Sequence, residues 1–123
     1  MSEQSTLYAR LGGYDAISAV VDNLLSRLIS DAQLGRFWSS RGDDGIAREK
    51  QLLTDYLCSN SGGPVLYTGR GNQVSHHGMG ISCEDWSCFI GHLQETLTHF
   101  QVPNTERAEV LAFIESTKVD IVE

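Results

Sequence analysis

What is scarce in this chain narrows the possibilities first. Only two prolines occur, Pro64 and Pro103. Both fall outside the long periodic segments, which leaves those segments free to be helices, because an interior proline removes a hydrogen bond and clashes with the preceding turn. The three cysteines, Cys58, Cys83 and Cys88, are odd in number and form no Cys-x-x-Cys pair. That argues against a disulfide frame or a zinc site and suits reduced thiols in a cytoplasmic protein. No apolar run approaches the roughly 20 residues that a membrane-spanning helix needs. The opening Met1-Ser2-Glu3-Gln4 lacks a basic, apolar leader pattern. Basic residues are few: nine Lys and Arg against sixteen Asp and Glu give a net charge of −7, and no stretch gathers the cations. Nucleic acid and anionic membranes are bound by neutralising phosphates, so neither is an expected partner. At 123 residues, with 41% hydrophobic and 20% charged, the chain has globular proportions and is expected to form one domain over 1–123.

Periodicity then supplies the fold class. Thr6 to Leu11 places Leu7, Tyr8 and Leu11 on one side and stops at Gly12-Gly13, residues that end a helix cheaply. Ala16, Ile17, Val20, Val21, Leu24, Leu25, Leu28 and Ile29 recur in pairs every four residues. This predicts a helix with a broad apolar stripe, with Asp22, Asn23, Ser26 and Arg27 facing away from it. After Phe37-Trp38, Ser39 to Gly45 reads as loop or helix start, and Ile46 to Cys58 is helical again. Ser59 to Gly80 is rich in glycine yet contains Val65, Leu66, Tyr67, Val74 and Met79, so neither a long helix nor disorder fits it. Ser82 and Asp85 form a capping-box pattern ahead of Trp86, Phe89, Ile90, Leu93, Leu97 and Phe100. A last helix is expected from about Glu106 to Val119, burying Val110, Leu111, Phe113 and Ile114. The reading is all-α.

An ordered glycine-rich connector in a small domain is often functional. This one carries Tyr67-x-Gly69-Arg70 and Ser75-His76-His77-Gly78. An imidazole, an apolar wall, the paired aromatics Phe37-Trp38 and the cation Arg70 are what haem asks of a protein. Its iron takes a neutral imidazole nitrogen, its macrocycle a dry slot, and its propionates basic or hydrogen-bonding groups at the rim.

These residues, in this order, resemble the truncated haemoglobins, specifically group I. The resemblance runs from Ser5-Thr6-Leu7-Tyr8 to about Val119. It is carried by Leu7-Tyr8-x-x-Leu11-Gly12-Gly13, Leu34-Gly35-Arg36-Phe37-Trp38, Gly62-Gly63-Pro64, Tyr67-x-Gly69-Arg70, Ser75-His76 and Trp86 to Leu93. It implies a two-over-two helical sandwich around one non-covalent haem b, with His76 as the iron ligand. His77 is the rival after a one-residue slip. Trp38 is expected to wedge against the porphyrin, with Tyr67, Arg70, Met79, Ile81, Trp86, Phe89, Lys50 and Leu53 also at the cofactor.

The resemblance further implies a distal side made by Leu25, Ile46, Glu49 and Lys50. Many relatives have a tyrosine where this chain has Leu25. Leucine and isoleucine give a ligand no hydrogen-bond donor, which implies faster O2 release and easier autoxidation. Lys50 is expected either on the solvated helix face or turned to the pocket, where it would meet a ligand, a propionate or the iron. His92 is expected to be packed or capped, and His99 at the surface. Some relatives bond a histidine of the final helix to a haem vinyl group, but no histidine follows His99 here, and no Cys-x-x-Cys-His occurs.

The implied function is reversible binding of O2, CO or NO, as carrier, scavenger or sensor. NO dioxygenase or nitrogen-oxide reductase chemistry, served by an electron-donating reductase, is the enzymatic alternative. A helical interaction module without haem would leave the order of these motifs unexplained.

Overall fold

The computed structural model describes residues 6–67, 69, 71 and 76–123. Its centre is a helix, Gly13–Ser30 (α2), whose stripe supplies much of the core: Ile17, Val21, Leu24, Leu25 and Leu28 are buried. Against it pack Asp43–Asn60 (α3) and Cys83–His99 (α4). The core is completed by Leu34, Cys58, Trp86, Leu93, Leu97 and Ile114. A short helix, Leu7–Leu11 (α1), precedes α2, while Asn104–Ser116 (α5) and Lys118–Ile121 (α6) follow α4. Among the described residues there is no strand, and the all-α expectation holds.

Local chemistry explains the helix ends. Thr6 caps α1 by accepting from the Ala9 amide at 3.1 Å. Gly12 ends it with φ 107°, a left-handed conformation that glycine adopts without a Cβ penalty. The capping box at Ser82 and Asp85 is formed in both directions and opens α4. α3 starts three residues before Ile46, at Asp43, where two acidic residues meet the positive end of the helix dipole.

Some expectations shift in detail. The last helix begins at Asn104, directly after Pro103, and breaks at Thr117, whose hydroxyl donates to the Ile114 carbonyl at 2.7 Å. Of its apolar residues only Ile114 is fully buried; Val110, Leu111 and Phe113 pack around the core half-exposed. Asn23 does not face away: its Oδ1 accepts from Thr96 of α4 at 3.1 Å and from Arg27 at 2.8 Å. A polar link thus crosses the α2–α4 contact.

Two further ties hold α1 to the rest of the fold. Arg10 of α1 meets Glu106 and Glu109 of α5 at 2.6 and 2.5 Å. Those carboxylates push the guanidinium well above its ordinary range, and Glu109 is lowered in return. At Gly63 the backbone passes so near the Tyr8 ring that an added Cβ would lie 2.5 Å from it. That contact seats α1 on the Gly62-Gly63-Pro64 turn, with the Tyr8 amide donating to the Ser61 carbonyl at 2.9 Å.

Candidate functional site

Between α2, α3, α4 and the 76–81 segment lies a cavity of about 760 Å³. That is within the range of about 300–1,000 Å³ usual for cofactor and small-molecule pockets. Its wall is mostly hydrocarbon and aromatic. From α2 come Val20, Leu24 and Leu25; from α3, Leu52, Leu53 and Tyr56; from α4, Trp86, Phe89 and Leu93. The helices place these residues inward because each set repeats at three- and four-residue spacing on a face turned to the centre.

Most of the residues picked from sequence come together here. His76, Trp38, Leu53, Tyr67, Met79, Ile81, Trp86, Phe89, Leu25 and Glu49 all line the cavity. His76 is half-buried, and its backbone carbonyl accepts from the Met79 amide at 3.2 Å, closing a turn. His77 points outward, with its side chain 84% exposed. Arg70 lies outside the described residues.

Two expected distal residues do not line this cavity. Ile46 and Lys50 are missing from its wall. Lys50 instead brings its ammonium to 3.3 Å from Asp22 on α2, at the outer edge of the α2–α3 contact. The reason is helical phase. Neighbouring residues differ by about 100° around a helix, so turning Glu49 inward swings Lys50 to the side. Helical phase does not account for Ile46, which stands close in phase to the cavity-lining Leu53. The expectation of Lys50 at the pocket is therefore corrected to a surface ion pair.

The polar groups in the wall are few and mutually engaged. Glu49 accepts from the Trp38 indole N–H at 2.8 Å and pairs with Arg41 at 2.7 Å. Trp38 thereby has a fixed ring plane, and Phe37 stands edge-on to it with centroids 6.4 Å apart. Across the cavity, the Trp86 indole N–H donates to Glu115 at 2.6 Å, with Phe89 packed beside its ring. Tyr56 stands edge-on to Tyr67 with centroids 5.2 Å apart and lies tilted against Phe113 at 5.9 Å.

Asp85 anchors the pocket corner. Its carboxylate accepts from Arg36 at 2.8 Å, Gln33 at 2.7 Å and the Ser82 amide at 3.0 Å. Led by the Arg36 contact, these donors hold it far below the usual carboxylate range. The segment before α3 is thereby tied to the start of α4. Nearby, Asp31 pairs with His92 at 2.7 Å and accepts from the Gln33 and Leu34 amides; His92 first, then those amides, lower it to about 2. His99 is exposed, edge-on to Phe100.

Sequence reasoning missed Arg41 and Arg48, two cations of the cavity wall. Isolated arginines in a polar stretch carry no pattern of their own; only the packing of α3 reveals them.

The residues present fit a haem. An imidazole from a short turn faces an apolar slot bounded by planar side chains, and two guanidinium groups stand in its wall. Comparison with known proteins agrees. The bacterial-like globin family matches residues 6–123. A group 1 truncated hemoglobin, GlbN, from Mycolicibacterium paratuberculosis is 32% identical over 113 residues, covering 92% of this chain and 81% of its own. The group 1 truncated hemoglobin of Tetrahymena pyriformis is 27% identical, covering 98% of both chains. The crystal structure of that Tetrahymena protein in its Fe(III) form superposes with a TM-score of 0.87, at 26% identity over 96% of this chain and 98% of the other. The chain belongs to the bacterial-like globin family, among the group 1 truncated haemoglobins, and is a haem globin on the two-over-two helical fold.

Proposed function

We propose that residues 1–123 act as one domain that holds haem b non-covalently through His76. The domain binds O2, CO or NO reversibly, as a carrier, scavenger or sensor in the cytoplasm. The observation that carries this reading is His76 in the wall of an apolar, aromatic-bounded cavity of cofactor size.

Bound haem would supply an iron that His76 would hold and that could take a diatomic ligand. The chain's own residues do the rest. Trp38 and Phe37 press the macrocycle from one edge, while Trp86, Phe89, Met79 and Ile81 exclude water on the His76 side. Arg41 and Arg48 give the propionates cationic partners. Leu25, Leu53 and Glu49 would line the ligand side; the leucines carry no donor, and the Glu49 carboxyl oxygens already accept from Trp38 and Arg41. This favours binding and release over an enzymatic turnover that needs long-lived O2. The non-covalent reading is supported by the lack of a histidine after His99 in this sequence; the Synechococcus 2/2 hemoglobin, by contrast, has covalently attached heme.

The test is a pair of absorption spectra, ferrous and ferric, of the haem-loaded protein beside His76→Gly. The variant is expected to lose its histidine-ligated spectrum and to regain it when imidazole is added. A spectrum unchanged by the substitution would move the ligand elsewhere. Lys50→Ala is expected to leave both spectra as they are. Mixing the oxygenated protein with NO then separates roles, because rapid nitrate formation would replace the carrier reading with a dioxygenase.

A further inference from the structure

The described segment 76–81, which carries His76, is held by hydrogen bonds that can be traced residue by residue. Within it, the Met79 amide donates to the His76 carbonyl at 3.2 Å. Further ties come from a distant residue, Glu123. Its Oε2 accepts from the Gly78 amide at 3.0 Å, and its Oε1 accepts from the Gly80 amide at 2.8 Å. Its own amide donates to the Ile81 carbonyl at 2.9 Å. One residue thus makes three hydrogen bonds to positions 78–81, from 43 and 45 residues away for the two carboxylate contacts.

The geometry depends on both partners. Gly78 and Gly80 have φ of 81° and 69°, and these left-handed turns present both amides to the same carboxylate. Glu123 is delivered to them by α6, whose end is closed by the Val122 amide donating to the Lys118 carbonyl at 2.9 Å. Met79 and Ile81, whose backbones the contact holds, line the cavity on the His76 side. The His77 ring lies 3.8 Å from the same carboxylate.

We infer that Glu123 is a positioning residue for the iron ligand: it clamps the 78–81 backbone, and through it fixes where the His76 imidazole stands. This rests on the reading of His76 as that ligand. A group that merely adds stability would alter unfolding and leave the bond between metal and imidazole as it was. A positioning residue changes that bond in the folded protein.

The experiment uses haem-loaded wild type, Glu123→Ala and Glu123→Gln, each checked for helix content. Three readouts are taken: the ferrous iron–histidine stretching band, the rate of haem transfer to excess apomyoglobin, and hydrogen exchange at the Gly78 and Gly80 amides. In Glu123→Ala the band is expected to shift or broaden, with haem transfer and amide exchange each about tenfold faster, the scale of losing charge-assisted hydrogen bonds. Glu123→Gln, with one acceptor oxygen left, should fall between, and it carries the test if the alanine variant folds poorly. Glu109→Ala, which removes a carboxylate paired to Arg10 on α1, should leave all three unchanged. If band and rates in both Glu123 variants equal those of wild type, the clamp is refuted. If His76→Gly keeps the wild-type band, it is instead the assignment of His76 that fails.

Discussion

Replacing Asp85 by alanine should be among the most costly single changes outside the apolar core. The side chain is 1% exposed, and three donors end on it: Arg36, Gln33 and the Ser82 amide. Alanine strands the Gln33 amide and the Ser82 N–H, and it removes half of the capping box. Arg36 is half-exposed and rehydrates, so the charged contact is weighted at the low end of its range. With about 1 kcal/mol for the cap and about 1–2 for the stranded donors and lost ion pair, the total is about 2–3 kcal/mol. For a chain of this size that lowers Tm by about 10 °C. Asparagine keeps one acceptor oxygen and should cost about half as much. Because bound haem adds to apparent stability, the comparison is made on haem-loaded samples at one haem concentration, by urea and thermal unfolding. The pH dependence adds a second check. A carboxylate held below its ordinary range stabilises fully above that range, and the contribution is lost as pH falls toward its lowered value. The gap between wild type and Asp85→Ala should therefore be widest above about pH 4 and should narrow in stronger acid. A cost under about 1 kcal/mol at pH 7, or a gap that stays constant into strong acid, would refute the reasoning.

Other perturbations test separate parts of the structure. His92→Ala should raise the Asp31 carboxyl from about 2 toward its ordinary value, read by NMR titration. By the same sign argument, Asp31→Asn should remove part of the loss of stability on acidification, and an unchanged acid profile would count against the pair. Gly63→Ala forces a Cβ to within 2.5 Å of the Tyr8 ring and should cost about 1–3 kcal/mol in thermal unfolding. A neutral result would mean that the α1 seat is not rigid. Cys58 is buried, with its thiol pushed up by that burial, whereas Cys83 is exposed. Disulfide reagent at neutral pH should therefore label Cys83 first and reach Cys58 only on unfolding, and Cys83→Ser should abolish the fast phase.

The elements readable in advance were those set by local rules. The α2 stripe repeats with the helix period, the Gly12-Gly13 stop and the Ser82–Asp85 box each span a few residues, and all three formed where expected. Phase within α3 was not readable. Glu49 and Lys50 are neighbours with charged side chains, and which one enters the cavity depends on how α3 rolls against α2, a packing outcome that no single residue encodes. Asn23 was misplaced for a similar reason: its neighbours suggest a polar face, but Thr96 from α4 reaches it across the interface. The Glu123 contacts lay further beyond reach, since a carboxylate joined to two glycine amides more than 40 residues away leaves no periodic trace.

Polarity around the ligand side then limits what such a pocket can retain. Leu24 and Leu25 on α2 face Leu52 and Leu53 on α3, so both helices present hydrocarbon there. The acidic member of that α3 face, Glu49, is already engaged: the Trp38 indole and the Arg41 guanidinium spend a donor on it each. An oxygen ligand that gains electron density is held by donors, and these residues direct theirs into their own ion pair instead of outward. Releasing the Trp38 indole would mean breaking a part-buried hydrogen bond to a carboxylate, a stronger contact than one between neutral groups. The arrangement therefore keeps Trp38 in place at the expense of ligand stabilisation.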